Sequence, residues 1–539
     1  MPKAIQLLPV SAFDGGLNLR ADAFQLRGTE SPDLLNVDLD PRGGFRMRDV
    51  ITPLNTTAFA SVARNIWAYS TSAGVRQVLV QQGDDFAYST GGSFTAVNPD
   101  ALTMTAGNPM RAATFNDLNY IQRYAEQPAI KWDGSTATVL TDPAVTPSYN
   151  DTIGSTVGSR MPKARCLSSF AGRVVVANLK ENATLRPNRI RWSHPNAPEE
   201  WRTNDYIDVD IGSEGDYITA LAPWGDSLLI FKNKSTHILS GYDSDTFTIQ
   251  TVSKTIGAVS QEAVAATEFG VYFFAWPGGV FLYTGSSSPK WCFERLSPTI
   301  SGGSIPAAYQ SQISLAWLNR RLWVSVPYGT TATTPSRVYV LDPTLGEKGM
   351  EGGWTVYDLT VGPMLEWATP ANATLFLATH PTVKRVMKLH QQGDQDTTDG
   401  SAYTDVTSYY TTRWFDLDEP SLFKKWKRPD FVFDRDFTAL LRVDTWKDYD
   451  PSSVSRSYFL QVTPLGTVLV WDDGTHSANM KWDNNVWASD VAAGAQGIAK
   501  GSAMGRARSI RLRVTGPTPS KRWSVNAVGL KWVPRRVRG

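Results

Sequence analysis

Phe170-Ala171-Gly172-Arg173-Val174-Val175-Val176, Trp224-Gly225-Asp226-Ser227-Leu228-Leu229-Ile230-Phe231 and Phe269-Gly270-Val271-Tyr272-Phe273-Phe274 repeat one short design. Each is a tight polar turn leading into an apolar strand. A second apolar run follows each time, at Arg189 to Trp192, His237 to Gly241 and Val280 to Gly285. Strands of four or five residues joined by Gly/Asp turns read as antiparallel hairpins. Between Arg165 and Gly285 the chain therefore writes the same hairpin unit three times.

Outward from this stretch the unit recurs, with turns at Gly74, Asp117, Gly172, Asp226, Gly270, Arg320 and Asn372. These positions lie roughly 43 to 55 residues apart, close to the 40–50 residues of a four-stranded propeller blade. One blade cannot bury both of its faces; stacking blades around a ring does so and leaves only short edges. A run of β-sandwiches also produces short strands at regular intervals. A period of one whole blade, sustained over seven units, favours the ring. The expected fold is all-β: a propeller-like ring of short antiparallel blades at 56–400 with an additional β-sandwich-type domain at 401–539.

Residues 1–55 read as an N-terminal docking segment that either stands apart or completes a blade. Pro143 to Arg160 is poor in apolar residues and reads as a loop insertion, and Gln391 to Gly400 as a polar link. Strand-like runs resume at Thr407 to Asp416, Arg428 to Phe433, Leu440 to Trp446 and Tyr458 to Val462. They continue at Thr467 to Trp471, Ser509 to Thr515 and Ser524 to Val533. The last 39 residues hold no acid but many Lys and Arg.

Composition narrows the function classes. With 42% hydrophobic and 19% charged residues the chain is an ordinary globular protein, not a disordered one. A net charge of +2 argues against a global nucleic-acid binder. No apolar run has the length of a membrane span, and no secretion signal is visible after Met1, so no membrane anchor is expected. The two cysteines, Cys166 and Cys292, sit in apolar settings and read as buried thiols.

Converging catalytic groups are not legible. The five histidines (His194, His237, His380, His390 and His476) form no H-E-x-x-H, and His237 and His390 read as structural. There is no G-x-S-x-G elbow. Gly15-Gly16 and Gly43-Gly44 lack the spacing of phosphate-cradling loops and read as turns. The acids Asp205, Asp208, Asp210, Glu214 and Asp216 cluster, but the alternation Asp208-Val209-Asp210 suggests a solvated strand face. A two-carboxylate glycosidase on a propeller stays open as an alternative. The chain reads as a non-enzyme, with no cofactor, no catalytic residue and no metal ligand expected.

One more set of signals carries a resemblance. Gly15-Gly16-Leu17-Asn18, Leu35-Asn36-Val37-Asp38 and Gly43 to Arg48 come first. Pro187-Asn188-Arg189-Ile190-Arg191-Trp192-Ser193, Pro198-Glu199-Glu200-Trp201, Asp226 to Lys232 and Gly270 to Phe281 follow. In this order they resemble the tail nozzle proteins of short-tailed bacteriophages, the tail tubular protein B family. The resemblance covers most of residues 10–390 and is looser over 401–539. It implies a structural virion protein: a homo-hexamer forming a tube below the portal and adaptor ring, assembled in the host cytoplasm. Such a tube conducts and retains the genome, touches DNA only transiently and carries tail fibres or tip proteins. Ring closure would need two different complementary patches on each subunit. The basic residues Arg511, Arg513, Arg535 and Arg536 on one patch and Asp208 and Asp210 on the other are the candidate subunit interface. Alternative readings are a receptor-binding or glycan-degrading virion propeller, or a minor tail or tip component of a long-tailed phage.

Overall fold

Seven four-stranded antiparallel units succeed one another along the chain in the computed structural model. The structure describes residues 5–534 apart from 23–24, 101, 143–159, 213–214, 286–287, 346–351, 435–438 and 463–495. The loop expected at Pro143 to Arg160 lies, except for Arg160, outside the described residues. So do the strand expected at Thr467 to Trp471 and the side chains of Glu214, His476, Arg535 and Arg536.

The first strands of the seven units are Ala63–Ser70, Arg111–Phe115, Ala164–Phe170, Ile218–Trp224, Val264–Thr267, Ser314–Leu318 and Met364–Ala368. Each packs beside the first strand of the next unit, and the seventh returns to the first, which closes the ring. The chain is a β-propeller with a β-sandwich appended. Six of the seven turn positions singled out in the sequence fall between the first and second strands of a blade, and the seventh, Gly270, opens the second strand of the fifth. Gly74, Asp117, Gly172, Gly270, Arg320 and Asn372 have positive φ there, as tight hairpin connections require. In the fourth blade the positive φ falls on Gly225, beside Asp226.

Blade packing follows from the second strands, which are buried on both faces. Val174, Val175, Val176 and Ala177 are fully covered, as are Leu228, Leu229, Ile230 and Phe231, and Val271, Phe273 and Phe274. Their side chains alternate between the two neighbouring blades, so Val175 and Ile230 share one core while Leu229, Phe231 and Phe273 share the next. Continuous apolar runs, not alternating ones, are what two-sided burial demands.

The N-terminal residues are distributed over the whole molecule. Val50–Pro53 pairs with Arg385–Gln391 and supplies the fourth strand of the seventh blade. Gly16–Leu17 lies parallel to both Glu30–Ser31 and Gly353–Tyr357, widening the sixth blade to six strands. A side chain at Gly16 would stand 2.5 Å from the Trp354 amide nitrogen, and φ is +71°; this glycine is required by close approach and not by a phosphate. Gln6–Val10 pairs with Ala527–Pro534, Asp33–Leu35 with Tyr409–Thr411, and Phe45–Met47 with Ser524–Val525.

The C-terminal part is a sandwich of two sheets. One contains Asp33–Leu35, Tyr409–Thr411, Ile510–Thr515, Ala439–Lys447 and Arg456–Val462. The other contains Gln496–Lys500, Asp430–Asp434, Ala527–Pro534, Lys424–Trp426 and Gly505–Ala507, flanked by Gln6–Val10. Leu441, Val443, Leu512, Phe431, Val528 and Leu530 fill the space between them. This core is continuous with Phe13, Phe45 and Leu17 of the N-terminal segment and with Phe274, Val324 and Trp354 of the fifth and sixth blades. The Phe45 ring stacks on Tyr410 at 4.4 Å, while Phe13 meets both edge-on. Propeller and sandwich are therefore joined through apolar packing.

Charge reinforces the seam. Arg48 is buried; its Nη1 and Nη2 donate to Asp396 at 3.0 and 2.5 Å and its Nε donates to Asn36 Oδ1 at 2.9 Å. Asp38, also buried, receives the Tyr357 hydroxyl and lies 3.3 Å from Arg321, which also binds Asp342 at 3.0 Å. The polar stretch read as a link is thereby pinned: Gln395–Thr397 forms a hairpin with Tyr403–Asp405, and Asp394 accepts from Lys521 Nζ and the Arg522 amide.

Candidate functional site

All seven first strands start at one end of the ring axis, opposite the turns just described. Residues at or within a few positions of these starts, from all seven blades, line a cavity of about 330 Å³. Arg64 comes from the first blade, Arg111 from the second, Arg165 and Asn178 from the third. Thr219 comes from the fourth, Ser260 and Glu262 precede the fifth, Ser314 opens the sixth and Gly362 and Thr379 belong to the seventh. Pro109, Pro335, Pro363 and Pro381 at the wall restrict the backbone there.

One ion pair organises the wall. The Arg111 Nε and Nη2 each stand 3.1 Å from a different oxygen of Glu262, a bidentate arrangement. Arg111 Nη1 donates to the Arg165 carbonyl at 2.6 Å, and Asn65 Nδ2 donates to Glu262 at 3.2 Å. Burial alone would lower the Arg111 pKa, but Glu262 outweighs it and holds the guanidinium firmly charged. Cys166 lies beneath this pair and its thiol donates to the Thr219 carbonyl at 3.2 Å. Burial pushes that thiol up to about 11 against the pull of Arg111, so it is no thiolate nucleophile near neutral pH.

Two further cations face the cavity differently. Arg165 stacks over the Tyr124 ring at 4.7 Å, and among the described residues neither Arg64 nor Arg165 has a carboxylate partner. Among the described residues of the cavity wall, three guanidinium groups thus meet a single carboxylate. The Arg165 Nε, Asn178 Oδ1 and Ser314 Oγ are buried atoms without a hydrogen-bond partner. The residues of this site come from seven blades, and no local spacing in the sequence links them.

The charged residues expected at a subunit interface are engaged within the chain. Asp208 receives Arg189 Nε and Nη2 at 2.8 and 2.7 Å, and this bonding to Arg189 lowers its pKa despite partial burial. Asp208 and Asp210 are exposed while Val209 is buried, so the alternating face read in the sequence holds. Asp205 and Asp216, by contrast, are buried, the latter 3.6 Å from Lys232. On the sandwich Arg513 forms an ion pair with Asp33 and lies over the Tyr409 ring at 4.5 Å. Arg511 sits between Trp414 and Trp446, at 4.8 and 4.9 Å from their centroids. Burial, then the neighbouring Arg513, lowers its pKa. Charge reversal at Arg511 or Arg513 therefore acts on the packing of the sandwich itself. Arg535 and Arg536 lie outside the described residues.

Histidine readings follow the same logic. His237 is buried between Ser235 and Thr251, at 3.0 and 3.2 Å, and His390 pairs with Asp49 at 3.3 Å. His380, beside the axial cavity, accepts at Nδ1 from the Thr382 and Val383 amides, both at 3.3 Å. Burial lowers its pKa from 6.5 to about 4. The unfolded chain then binds the proton more readily, so this group's contribution is complete above pH 6.5 and fades as pH falls towards 4. On the order of 2–3 kcal/mol should be lost across that window. His380→Asn, whose Oδ1 can still accept, should flatten the pH 7 to pH 5 decline in urea midpoint; an unchanged slope would exclude this origin.

No family model matches the chain, and no curated protein matches it. Solved structures similar to it in shape include PorZ, an essential bacterial surface component of the type-IX secretion system of Porphyromonas gingivalis. That match has 13% identity and a TM-score of 0.36, covering 70% of this chain and 44% of PorZ. The β-propeller domain of Myceliophteria thermophila Cps50 matches at 11% identity and TM-score 0.36, covering 64% of this chain and all of that domain. The extracellular domain of a one-component system from B. thetaiotaomicron matches at 9% and 0.40, over 80% of this chain and 57% of that one. This chain thus spans less than half the length of PorZ. At such identities the likeness concerns the fold and carries nothing about activity.

Proposed function

We propose that this chain is a structural virion protein, six copies of which form the nozzle of a short phage tail below the portal and adaptor. The order of motifs from Gly15 to Phe281 supports this reading. One structural observation carries it further: strands of residues 6–53 are woven into the propeller and the sandwich alike. A conduit for a densely packed genome must keep its parts in register under load, and threading one segment through both modules joins them mechanically. Its subunit contacts would be heterologous, so each copy would offer two different surfaces to its neighbours.

The purified chain, alone and with the adaptor ring of its phage, should give six-fold particles with a central hole in negative-stain images. A species that remains monomeric under both conditions would overturn the proposal. A second reading, a ligand-binding virion propeller, is favoured by the axial cavity; depolymerase activity on a host polysaccharide would decide for it.

A further inference from the structure

We propose that the axial cavity binds a small organic anion, a monosaccharide-sized molecule carrying a carboxylate or phosphate group. Its volume of about 330 Å³ lies at the lower end of ligand pockets, large enough for a sugar ring and generous for an inorganic ion alone. The charge on its wall is unbalanced. Glu262 is consumed by Arg111, with Asn65 as a further donor. Arg64 and Arg165 remain as guanidinium groups without a carboxylate among the described residues.

Placement of Arg165 is specific. Its guanidinium plane is held over Tyr124, which restricts the side chain before any ligand arrives, and the Tyr124 ring also lies 5.8 Å from Arg111. A pre-oriented planar fork matches the two oxygens of a carboxylate or phosphate and loses little freedom on binding. Tyr217 and hydroxyl-bearing Ser311 and Thr334 complete the wall and suit a polyol body. Buried Ser314 and Asn178, both in the wall, each retain an unsatisfied oxygen. This cavity lies on the axis of a single chain's ring, so the inference stands whether or not six chains assemble into a tube.

Calorimetric titration of the full chain with glucuronate, glucose 6-phosphate, inorganic phosphate and neutral glucose tests the proposal. Binding of glucuronate or glucose 6-phosphate at least tenfold tighter than glucose is expected. Phosphate binding as tightly as both sugars would reduce the site to a simple anion hole and overturn the organic-ligand assignment. Arg165→Met and Arg64→Met should each weaken the acidic sugar at least tenfold, whereas Arg320→Met, exposed at the opposite end of the ring, should leave it unchanged. Circular dichroism melts of each variant separate lost binding from lost folding, and Arg165→Lys, which keeps the charge without the fork, should retain part of the affinity. No preference for acidic over neutral sugar in the wild type, or equal affinity in folded Arg64→Met and Arg165→Met, would refute the site.

Discussion

Replacing Arg48 by Met should destabilise the protein by roughly 3–5 kcal/mol, read as a fall in the denaturation midpoint at the seam between propeller and sandwich. Arg48 is 3% exposed and donates from all three nitrogen positions, to Asn36, Asp396 and the Asp49 carbonyl. Asp396 also accepts from the Ile51 amide at 3.0 Å, just where the closing strand joins the seventh blade. Removing the guanidinium leaves the Asp396 carboxylate largely buried with one backbone donor. The cost then comes chiefly from the stranded charge, not from the lost attraction. A double replacement, Arg48→Met with Asp396→Leu, should recover part of the loss because neither charge remains buried. A single-mutant effect below about 1 kcal/mol would show that this network contributes little.

Deleting residues 1–55 should prevent folding altogether. Val10, Phe13, Leu17, Leu34, Val37, Leu39, Phe45, Met47, Val50 and Ile51 are all buried. At roughly 1.5–3 kcal/mol for each side chain, their burial amounts to on the order of 15–30 kcal/mol, an upper bound set by an extended unfolded chain. Even half of that is comparable to the 5–15 kcal/mol by which domains are stable. The deletion also strips the outer strand from the seventh blade and exposes the edges of Tyr409–Thr411 and Ala527–Pro534. A 56–539 chain should accumulate as insoluble material. Soluble protein with a cooperative melt within a few degrees of the full chain would reject this view of the N-terminal segment.

The blade repeat was legible because it is local. Gly74, Asp117, Gly172, Gly270, Arg320 and Asn372 mark tight turns, and the strands they join are neighbours in the chain. Apolar runs such as Val174 to Ala177 report two-sided burial at the same short range. Closure was harder to read. Val50–Pro53 pairs with a strand more than 300 positions later, and the register Val50 to Gln391 has no signature in either stretch. Gln6–Val10 has only weak strand character and finds its partner near the far end of the chain.

Charged residues divide along the same line. Strand alternation in Arg511-Leu512-Arg513-Val514 accounts for the burial of Leu512 and Val514. It could not show that Trp414, Trp446 and Tyr409 cover the charged face, because those rings come from neighbouring strands. The acid cluster is solvated at Asp208 and Asp210 but not at Asp216, which is buried beside Lys232.

By itself the sequence determined the all-β class, the blade period and the positions of the seven turns, since hairpins are governed by residue period and local backbone preference. Tertiary structure alone decided how the ring closes, how the strands between residues 6 and 53 join propeller to sandwich, and which cations meet at the axis. Those depend on contacts between residues hundreds of positions apart. A guanidinium's role there is set by whether a carboxylate such as Glu262 happens to arrive beside it, and no residue's own neighbours in the chain record that.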